Sequence, residues 1–344
     1  MRPPKGERIC IVMMSAVGDA VHVLPIINAI KHDNYASHIT WVLQAGPASL
    51  VRGHPSVDEI VLFDRTKGVS AFLEVSRDLR KREFDLLIDL QVYFKAGIIT
   101  AMSGAKRRLG FDRSRARDLN WLFTTDRIPP HPIQHVQDQY FEFLSALGME
   151  QGPLRWNLGP WPHERAWQDD FVESIDGPFA SIVVATSKPE KDWLPERWAE
   201  VTDILLNRFG LKSVLVGGKS DREVQAAEKI VSRSNSKPVS MLGSGLRNLV
   251  GILDASDLVL SPDTGPLHMT VAVGTPVISL IGYTDPRRTG PYRKFQDLIV
   301  DAFHDGPADG PVTMQTKDDR MSRITVADVE ARVAIWAERY RAKS

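Results

Sequence analysis

Cysteine is almost absent from this chain of 344 residues, which contains only Cys10. A single cysteine excludes an internal disulfide framework and fits a reducing, cytosolic setting. No segment reaches the ~18 continuous apolar residues that a membrane-spanning helix needs. The segment Met1–Lys5 lacks the apolar core of a signal peptide. We therefore expect a cytoplasmic protein, which could still rest on a membrane surface.

Net charge is also absent, because 43 Lys and Arg residues balance 43 Asp and Glu residues. This balance argues against a nucleic-acid-binding protein. One stretch departs from it, since residues 77–117 hold eleven basic and five acidic side chains. Such a stretch indicates an anionic ligand or an anionic membrane surface, although an ordinary solvated face explains any single residue equally well.

The apolar segments are short and continuous rather than alternating, which is typical of strands covered on both faces in a parallel sheet. A chain of this length suits two domains. The sequence therefore predicts an α/β protein with two doubly wound sheets and a cleft between them. The predicted parts are an N-terminal domain (1–150), a linker rich in Pro and Gly (151–163), a C-terminal domain (164–325) and an amphipathic helix (326–344) that could pack back on the first domain.

The segment 15–25 follows the first predicted strand, where ligands bind in open α/β sheets. Gly18 permits a tight turn or a close approach to a ligand. Asp19 has two interpretations that the sequence leaves open: a general base facing the cleft, or a cap of the following helix. The segment lacks the G-x-G-x-x-G pattern, so a dinucleotide site is not supported.

The segment 261–270 runs from the end of a predicted strand into a helix, and helix N-termini favour phosphate. Gly265 permits close approach and Thr264 can donate its hydroxyl. His268 lies in the first turn on the same side. The alternative is that Asp263 caps the helix and His268 is an ordinary buried histidine.

Two further polar segments follow strands of the second domain, namely 185–198 and 282–292. The first offers hydroxyl and ammonium groups that suit an anionic leaving group. The alternative is that both are ordinary solvated loops. The hydroxyl and ammonium groups of the first segment belong to Thr186, Ser187, Lys188 and Lys191.

Taken together and in order, these segments resemble glycosyltransferase family 9, the lipopolysaccharide heptosyltransferases. The resemblance rests on residues 15–25, 89–95, 191–198, 263–268 and 282–286. It implies a GT-B fold of two facing Rossmann-like domains. It also implies transfer of heptose from ADP-heptose, with inversion, to an anionic lipopolysaccharide inner-core acceptor, and contact with the cytoplasmic face of the inner membrane.

The resemblance also assigns roles to individual residues. Asp19 corresponds to the family's proposed catalytic base. Many members place an acid after the strand that ends here at Gly217 and Gly218, whereas this sequence has Lys219, with Asp221 as the nearest acid. The donor-binding positions are Thr186, Ser187, Lys191, Asp263, Thr264, Gly265 and His268. The acceptor-binding positions are Ser15, Lys95 and Arg117.

No clear set of metal ligands stands out, since only Asp263 and His268 are candidates, and we expect neither a metal nor a cofactor. Two other classes remain open. One is a non-catalytic nucleotide or nucleotide-sugar binding protein, or a transferase that uses another nucleotide-sugar. The other is an epimerase or phosphorylase of similar architecture, although the missing G-x-G-x-x-G and Tyr-x-x-x-Lys patterns argue against an NAD-dependent epimerase.

Overall fold

The computed structural model describes residues 7–341 and divides them into two compact units. The first unit runs to Pro132 and includes Val136–Asn157. The second contains Ile133–His135 and continues from Leu158. The boundary between the two units at Asn157 lies inside the predicted linker that is rich in Pro and Gly. The segment 1–5 discussed above, and residues 342–344 of the expected C-terminal helix, lie outside the described residues.

The first unit is built on a six-stranded sheet in which every neighbouring pair is parallel, in the order β3-β2-β1-β4-β5-β6. The central strands are apolar and buried on both faces, as the continuous apolar pattern predicts. The strands are β1 (Arg8–Val12), β2 (His38–Leu43), β3 (Glu59–Leu62), β4 (Leu86–Asp89), β5 (Arg107–Gly110) and β6 (Asp126–Arg127).

Helices connect these strands, and their apolar faces complete the core of the first unit. Trp41 of β2 is fully buried, and its indole N–H donates to the Met13 carbonyl at 3.2 Å. Phe111 and Phe143 pack edge to face with ring centroids 4.9 Å apart. The helices are α1 (Val17–Asp33), α2 (Ala45–Val51), α3 (Val69–Arg80), α4 (Phe94–Met102) and α5 (Val136–Ala146).

The second unit repeats this strand order in a second parallel sheet, β12-β11-β10-β7-β8-β9. In each sheet the chain starts in the middle, winds outward in one direction, and then returns to add strands on the other side. The first unit therefore has a switch point between β1 and β4, and the second between β7 and β10. The strands are β7 (Phe179–Val183), β8 (Lys212–Val216), β9 (Val239–Ser240), β10 (Leu258–Pro262), β11 (Val277–Ile281) and β12 (Ile299–Asp301).

The final helix belongs to the second unit, which differs from our expectation that it could pack on the first domain. Its apolar stripe of Val329, Val333 and Trp336 is buried in the core of the second unit. The Trp336 indole also donates to the Asp257 carbonyl at 3.1 Å. The helices of this unit are α6 (Arg165–Ile175), α7 (Pro195–Phe209), α8 (Asp221–Arg233), α9 (Leu246–Ala255), α10 (Gly265–Val273), α11 (Pro286–Thr289) and α12 (Val326–Arg339).

The prediction of an α/β fold with parallel sheets is confirmed. In the part of the chain that the structure describes, no helix combines the length and the apolar character that crossing a membrane requires.

The Phe111–Phe143 pair gives a test of this core. We expect Phe143→Ala to lower the free energy of unfolding of the first unit by ~3–5 kcal/mol, because it removes a fully buried ring and leaves a cavity. Guanidinium-induced unfolding followed by circular dichroism measures this loss. The control is Leu73→Ala on the exposed side of α3, which should change the free energy by less than ~0.5 kcal/mol. Equal effects of the two variants would contradict the assigned packing.

Candidate active site

A buried ion pair occupies the switch point of the second unit. The Lys191 Nζ atom lies 2.6 Å from Oδ2 of Asp263 and 3.3 Å from its backbone carbonyl oxygen. Lys191 ends a short 3-10 turn after β7, and Asp263 directly follows β10. Because these two strands are neighbours in the sheet, side chains 72 positions apart in the sequence meet at one edge.

Two threonines complete the surroundings of the Asp263 carboxylate. The hydroxyls of Thr284 and Thr289 donate to Oδ2 at 2.6 and 3.0 Å. Both come from the segment after β11, which the sequence placed near this site without assigning a contact. Burial raises the pKa of Asp263, but the charge and hydrogen bond of Lys191 and the hydrogen bond from Thr284 lower it by more, so the pKa lies below its ordinary value. Asp263 is therefore ionised at neutral pH.

His268 lies beside this carboxylate as a neutral imidazole. Its Nε2 atom is 3.8 Å from Oδ1 of Asp263, and its side chain is buried in the first turns of α10. Burial lowers the pKa of His268 to about 4, despite the neighbouring negative charge. The contact is consequently not an ion pair at neutral pH, and the local positive charge comes from Lys191.

The N-terminus of α10 opens next to the ion pair. Thr264 occupies the N-cap position and its side chain makes no capping hydrogen bond. The Asp263 carboxylate is held by Lys191, Thr284 and Thr289, in contrast to the alternative interpretation in which it caps the helix. Gly265 and Pro266 form the first turn, and proline has no N–H group to satisfy there. An uncapped helix start with a lysine beside it has the groups and the polarity that bind phosphate.

The loop after β7 is held by its own side chains. Asp192 accepts the backbone N–H of Thr186 at 2.6 Å, and the Thr186 hydroxyl donates to the Lys188 carbonyl at 2.6 Å. The Thr186 hydroxyl therefore orders the loop, whereas Ser187 is exposed. The ammonium groups of Lys188 and Lys191 lie 5.4 and 5.9 Å from the ring centre of Tyr283.

The acid that holds the loop after β8 is Glu223 in the first turn of α8, which the sequence analysis missed. One carboxylate oxygen accepts the N–H of Gly218 at 2.6 Å, and the other accepts the N–H of Ser220 at 3.0 Å. Lys219 itself is exposed. The pattern Ser220-x-x-Glu223 is a capping box, so the sequence did carry the signal for this contact.

At the switch point of the first unit, one neutral side chain bridges two loops. Gln91, after β4, accepts the N–H of Met14 at 3.0 Å and donates to the Ser15 carbonyl at 3.1 Å. The loops after β1 and β4 are thus joined where ligands bind in this type of sheet. Gln91 fixes the entry to α1, which carries Asp19.

Two hydrogen bonds of Asp19 lie within the first unit. Its Oδ2 atom accepts the backbone N–H of Ala16 at 3.0 Å, and the hydroxyl of Tyr140 lies 3.4 Å from Oδ1. The first contact is a helix-capping interaction, so the capping interpretation is confirmed for one oxygen. The second oxygen accepts a long hydrogen bond from the Tyr140 hydroxyl.

The basic candidates of the first unit, Lys95 and Arg117, are exposed. Lys95 lies in the first turn of α4, and Arg117 donates its backbone N–H to the Val92 carbonyl at 2.8 Å. Asp89, which is buried at the end of β4, accepts hydrogen bonds from Thr100 at 2.9 Å and from Asn120 at 3.0 Å. Burial raises the pKa of Asp89 to about 7.

Within residues 7–341, no cluster of three or more histidine, cysteine, aspartate or glutamate side chains is arranged to hold a metal ion. The arrangement instead offers one ammonium group, hydroxyls and a helix start in the second unit. The first unit offers the Asp19 carboxylate and the exposed cations Lys95 and Arg117. These groups suit transfer chemistry in which an anionic group leaves.

A family model described as "Glycosyltransferase family 9 (heptosyltransferase)" matches residues 72–309, more than half of the chain. The chain belongs to glycosyltransferase family 9. It is therefore a glycosyltransferase of the heptosyltransferase family, and the resemblance drawn from the sequence is confirmed.

Named relatives agree with this membership. The glycosyltransferase is 30% identical to the lipopolysaccharide core heptosyltransferase OpsX of Haemophilus influenzae over 294 residues, which cover 85% of this chain and 84% of the relative. It is 26% identical to lipopolysaccharide heptosyltransferase 1 of Salmonella typhimurium over 300 residues, or 84% and 92% of the two chains.

Solved structures show the same fold. A family 9 glycosyltransferase from Veillonella parvula superposes with a TM-score of 0.83 at 21% identity, covering 97% of this chain and 98% of that one. The E. coli heptosyltransferase WaaC with ADP superposes with a TM-score of 0.76 at 22% identity, covering 95% and 99%. The GT-B fold prediction is confirmed by these neighbours.

His268 provides a test of the site's electrostatics. Between about pH 4 and pH 6.5, the unfolded chain binds a proton at His268, whereas the folded protein keeps this histidine neutral. The free energy of unfolding therefore rises with pH across this window. Lowering the pH from 7 to 4 should reduce the free energy of unfolding by about 3 kcal/mol through this group. We expect His268→Gln to lose correspondingly less stability than the wild type, as measured by urea unfolding at both pH values.

The control for this comparison is His163→Gln, at an exposed histidine of the second unit. This variant should keep the pH dependence of the wild type. If His268→Gln and the wild type lost equal stability on acidification, the neutral buried imidazole would be disproved.

Proposed function

We propose that this glycosyltransferase moves heptose from ADP-heptose to a lipopolysaccharide inner-core acceptor, with inversion at the anomeric carbon. The observation that carries the proposal is the Lys191–Asp263 pair beside the uncapped start of α10. Among the relatives with a similar fold, E. coli heptosyltransferase WaaC is described with ADP and with ADP-2-deoxy-2-fluoro heptose. The lipopolysaccharide core heptosyltransferase OpsX supports the acceptor class.

In this proposal the second unit binds the donor. The bond between the anomeric carbon and the diphosphate oxygen breaks, and ADP leaves with the electron pair. Lys191 and the first amides of α10 stabilise the negative charge that develops on the diphosphate. Asp263 holds the Lys191 ammonium in place, while His268, being neutral, adds a polar group without a further charge.

The first unit binds the acceptor and supplies the base. Asp19 accepts the proton of an acceptor hydroxyl as its oxygen forms the new bond to the anomeric carbon. A single displacement of this kind inverts the configuration and passes through a transition state with oxocarbenium character. Ser15, Lys95 and Arg117 contact the acceptor, and the two exposed cations match its anionic groups. We place the reaction at the cytoplasmic face of the inner membrane.

The donor is tested by the thermal stability of the protein with a panel of nucleotides and nucleotide-sugars. We expect ADP and ADP-heptose to raise the melting temperature, because ligands that bind only the folded state stabilise it. UDP- and GDP-sugars should give no comparable shift. A larger shift with one of those sugars would identify a different donor. A shift with ADP-heptose but no transfer to a lipopolysaccharide acceptor extract would favour a binding protein.

The base is tested by Asp19→Asn. Asparagine keeps an oxygen for the Ala16 N–H, so the start of α1 should remain capped. Loss of the base should reduce the transfer rate by ~10²–10⁴-fold, while ADP binding and the melting temperature stay close to wild type. Rates are measured as ADP release with acceptor, and NMR of the product reports the anomeric configuration.

The matched control for the base is Asp138→Asn, in the first turn of α5 of the same unit. This variant should transfer at the wild-type rate. If Asp19→Asn retained full activity, Asp19 would be a capping residue only. A product with retained configuration would reject the single displacement independently of which residue is the base.

A further inference from the structure

Asp89 is a buried carboxylate for which the proposed reaction has no use. It ends β4, and its side chain is fully buried. Burial raises its pKa to about 7, and the groups that oppose this rise are neutral hydrogen-bond donors. The ionised side chain is therefore unfavourable for the fold. Buried acids with shifted pKa values are concentrated at functional sites, so a role in the site explains Asp89 better than stability does.

One oxygen of Asp89 is connected to the proposed base. Oδ1 accepts the backbone N–H of Gln91 at 3.1 Å. The Gln91 amide in turn donates to the Ser15 carbonyl at 3.1 Å. Ala16, the next residue, donates its N–H to Asp19 at 3.0 Å. A continuous series of hydrogen bonds and peptide bonds thus leads from this oxygen to the carboxylate of Asp19.

The other oxygen of the same carboxylate is connected to an acceptor-binding candidate. Oδ2 accepts the Thr100 hydroxyl of α4 at 2.9 Å and the Asn120 amide at 3.0 Å. Asn120 begins a short 3-10 turn, and its backbone N–H donates to the Arg117 carbonyl at 2.9 Å. Arg117 donates its own N–H to the Val92 carbonyl at 2.8 Å. This oxygen therefore holds the backbone from which the Arg117 side chain extends.

The Asn120 amide has only one suitable orientation. Its nitrogen donates to Asp89 and, at 3.1 Å, to the Tyr93 carbonyl. Both partners are acceptors, so a reversed amide would place oxygen against oxygen. Tyr93 is the N-cap residue of α4 and precedes Lys95 by two positions. Asn120 thus joins the start of the helix that carries Lys95 to the turn that follows Arg117.

The backbone between Arg117 and Asn120 has an uncommon conformation. The two residues there, Asp118 and Leu119, have φ angles of +51° and +61°. Residues with a β-carbon rarely adopt this region and keep it only where surrounding contacts enforce it. The hydrogen bonds of Asn120 at one end and of Arg117 at the other provide that enforcement. Such segments cluster at functional sites.

The donors around Asp89 require a side chain that only accepts. Three of them, from Gln91, Thr100 and Asn120, converge on the two carboxylate oxygens. An ionised carboxylate accepts at both oxygens. An asparagine of the same shape would present its NH₂ group to one of the donors. A buried acid is therefore the side chain that satisfies both connections at once.

We propose that Asp89 is a positioning residue for both functions of the first unit. Through Gln91 it sets the loop that leads to the base, and through Asn120 it sets the segment that carries an acceptor-binding cation. It acts through these two residues rather than by touching a substrate. The inference rests on the proposed function, from which the roles of Asp19 and Arg117 are taken.

The test is steady-state kinetics of the full-length protein with ADP-heptose and a lipopolysaccharide acceptor. Asn120→Leu removes the amide at similar volume. We expect the acceptor KM to rise about tenfold, as for the loss of a hydrogen bond to a charged group, with kcat and the KM of ADP-heptose near wild type. Gln91→Met breaks the other connection. We expect kcat to fall ~10-fold to 10²-fold because the base is displaced, with the acceptor KM near wild type.

Two further variants separate positioning from general loosening of the fold. Asp89→Asn should change both the acceptor KM and kcat. Thr100→Val keeps the shape of the side chain but removes the hydroxyl, so it should raise the acceptor KM, whereas Thr100→Ser keeps the hydroxyl and should restore it. The matched control is Thr40→Val, at a fully buried threonine of β2, which should keep the wild-type kinetic constants. Melting curves establish that each variant is folded.

Hydrogen exchange of the full-length protein without substrates gives a second measurement. Asn120→Leu should accelerate exchange in residues 112–123, and Gln91→Met should accelerate it in residues 13–20. Absence of heptose transfer by the wild type would reject the proposed function, and the exchange rates would then decide on Asp89 alone.

Four outcomes would overturn the inference. The first is wild-type kinetics in Asp89→Asn. The second is an equal change of kcat and acceptor KM in Asn120→Leu and Gln91→Met, which would show a common loss of structure. The third is an equal effect of Thr100→Ser and Thr100→Val. The fourth is unchanged hydrogen exchange in both segments.

Discussion

The ion pair between Lys191 and Asp263 is the contact on which the chemistry of the second unit depends. A carboxylate buried to this extent is unfavourable unless its charge is matched and its oxygens are hydrogen-bonded. Here a lysine and two threonines meet that requirement, and they come from the loops after β7 and β11. One aspartate after β10 therefore connects three loops. Removing either charged partner would leave the other buried alone, a change that typically costs ~3–5 kcal/mol.

The two units use the same topology with different electrostatics. Each sheet starts in the middle and diverges once, and in each the loops at that divergence are tied together. In the second unit an ion pair joins the loops, and this pair places a fixed positive charge beside the start of a helix. In the first unit the tie is the neutral amide of Gln91, and the charged residue nearby is Asp19 in the first turn of α1. This division suits a donor that leaves as an anion and an acceptor that must lose a proton.

The sequence was sufficient to predict the strands and helices that have a strong apolar pattern. Strands such as β1, β7 and β11 are continuous apolar runs, and their burial on both faces follows from composition alone. The short outer strands were not predicted: β5 begins with two arginines, and β6 and β9 have only two residues each, so neither length nor hydrophobicity distinguishes them from loops. Their backbone joins the sheet because a neighbouring strand supplies the hydrogen bonds, which is a tertiary effect.

The site was predictable at the level of segments rather than contacts. Strand ends indicated where polar residues would gather, since the carboxyl ends of parallel strands share one edge. The partners of Asp263 come from positions up to 72 residues away, and no local pattern encodes that pairing. Glu223 is different, because its capping box is a local motif that could have been recognised. The position of the C-terminal helix, like the partners of Asp263, is not encoded by a local pattern. An amphipathic pattern defines an apolar stripe but not the surface that covers it.

Gln91 and Asp89, two residues apart in the first unit, respond differently to a change of pH. The amide of Gln91 donates at one end and accepts at the other, so it has one satisfactory orientation and no proton to gain or lose. The carboxyl of Asp89, with its pKa near 7, changes charge in the range where cells operate. The contacts that Gln91 makes with the loop after β1 therefore do not change with pH, whereas the charge of Asp89, which accepts hydrogen bonds from Thr100 and Asn120, does.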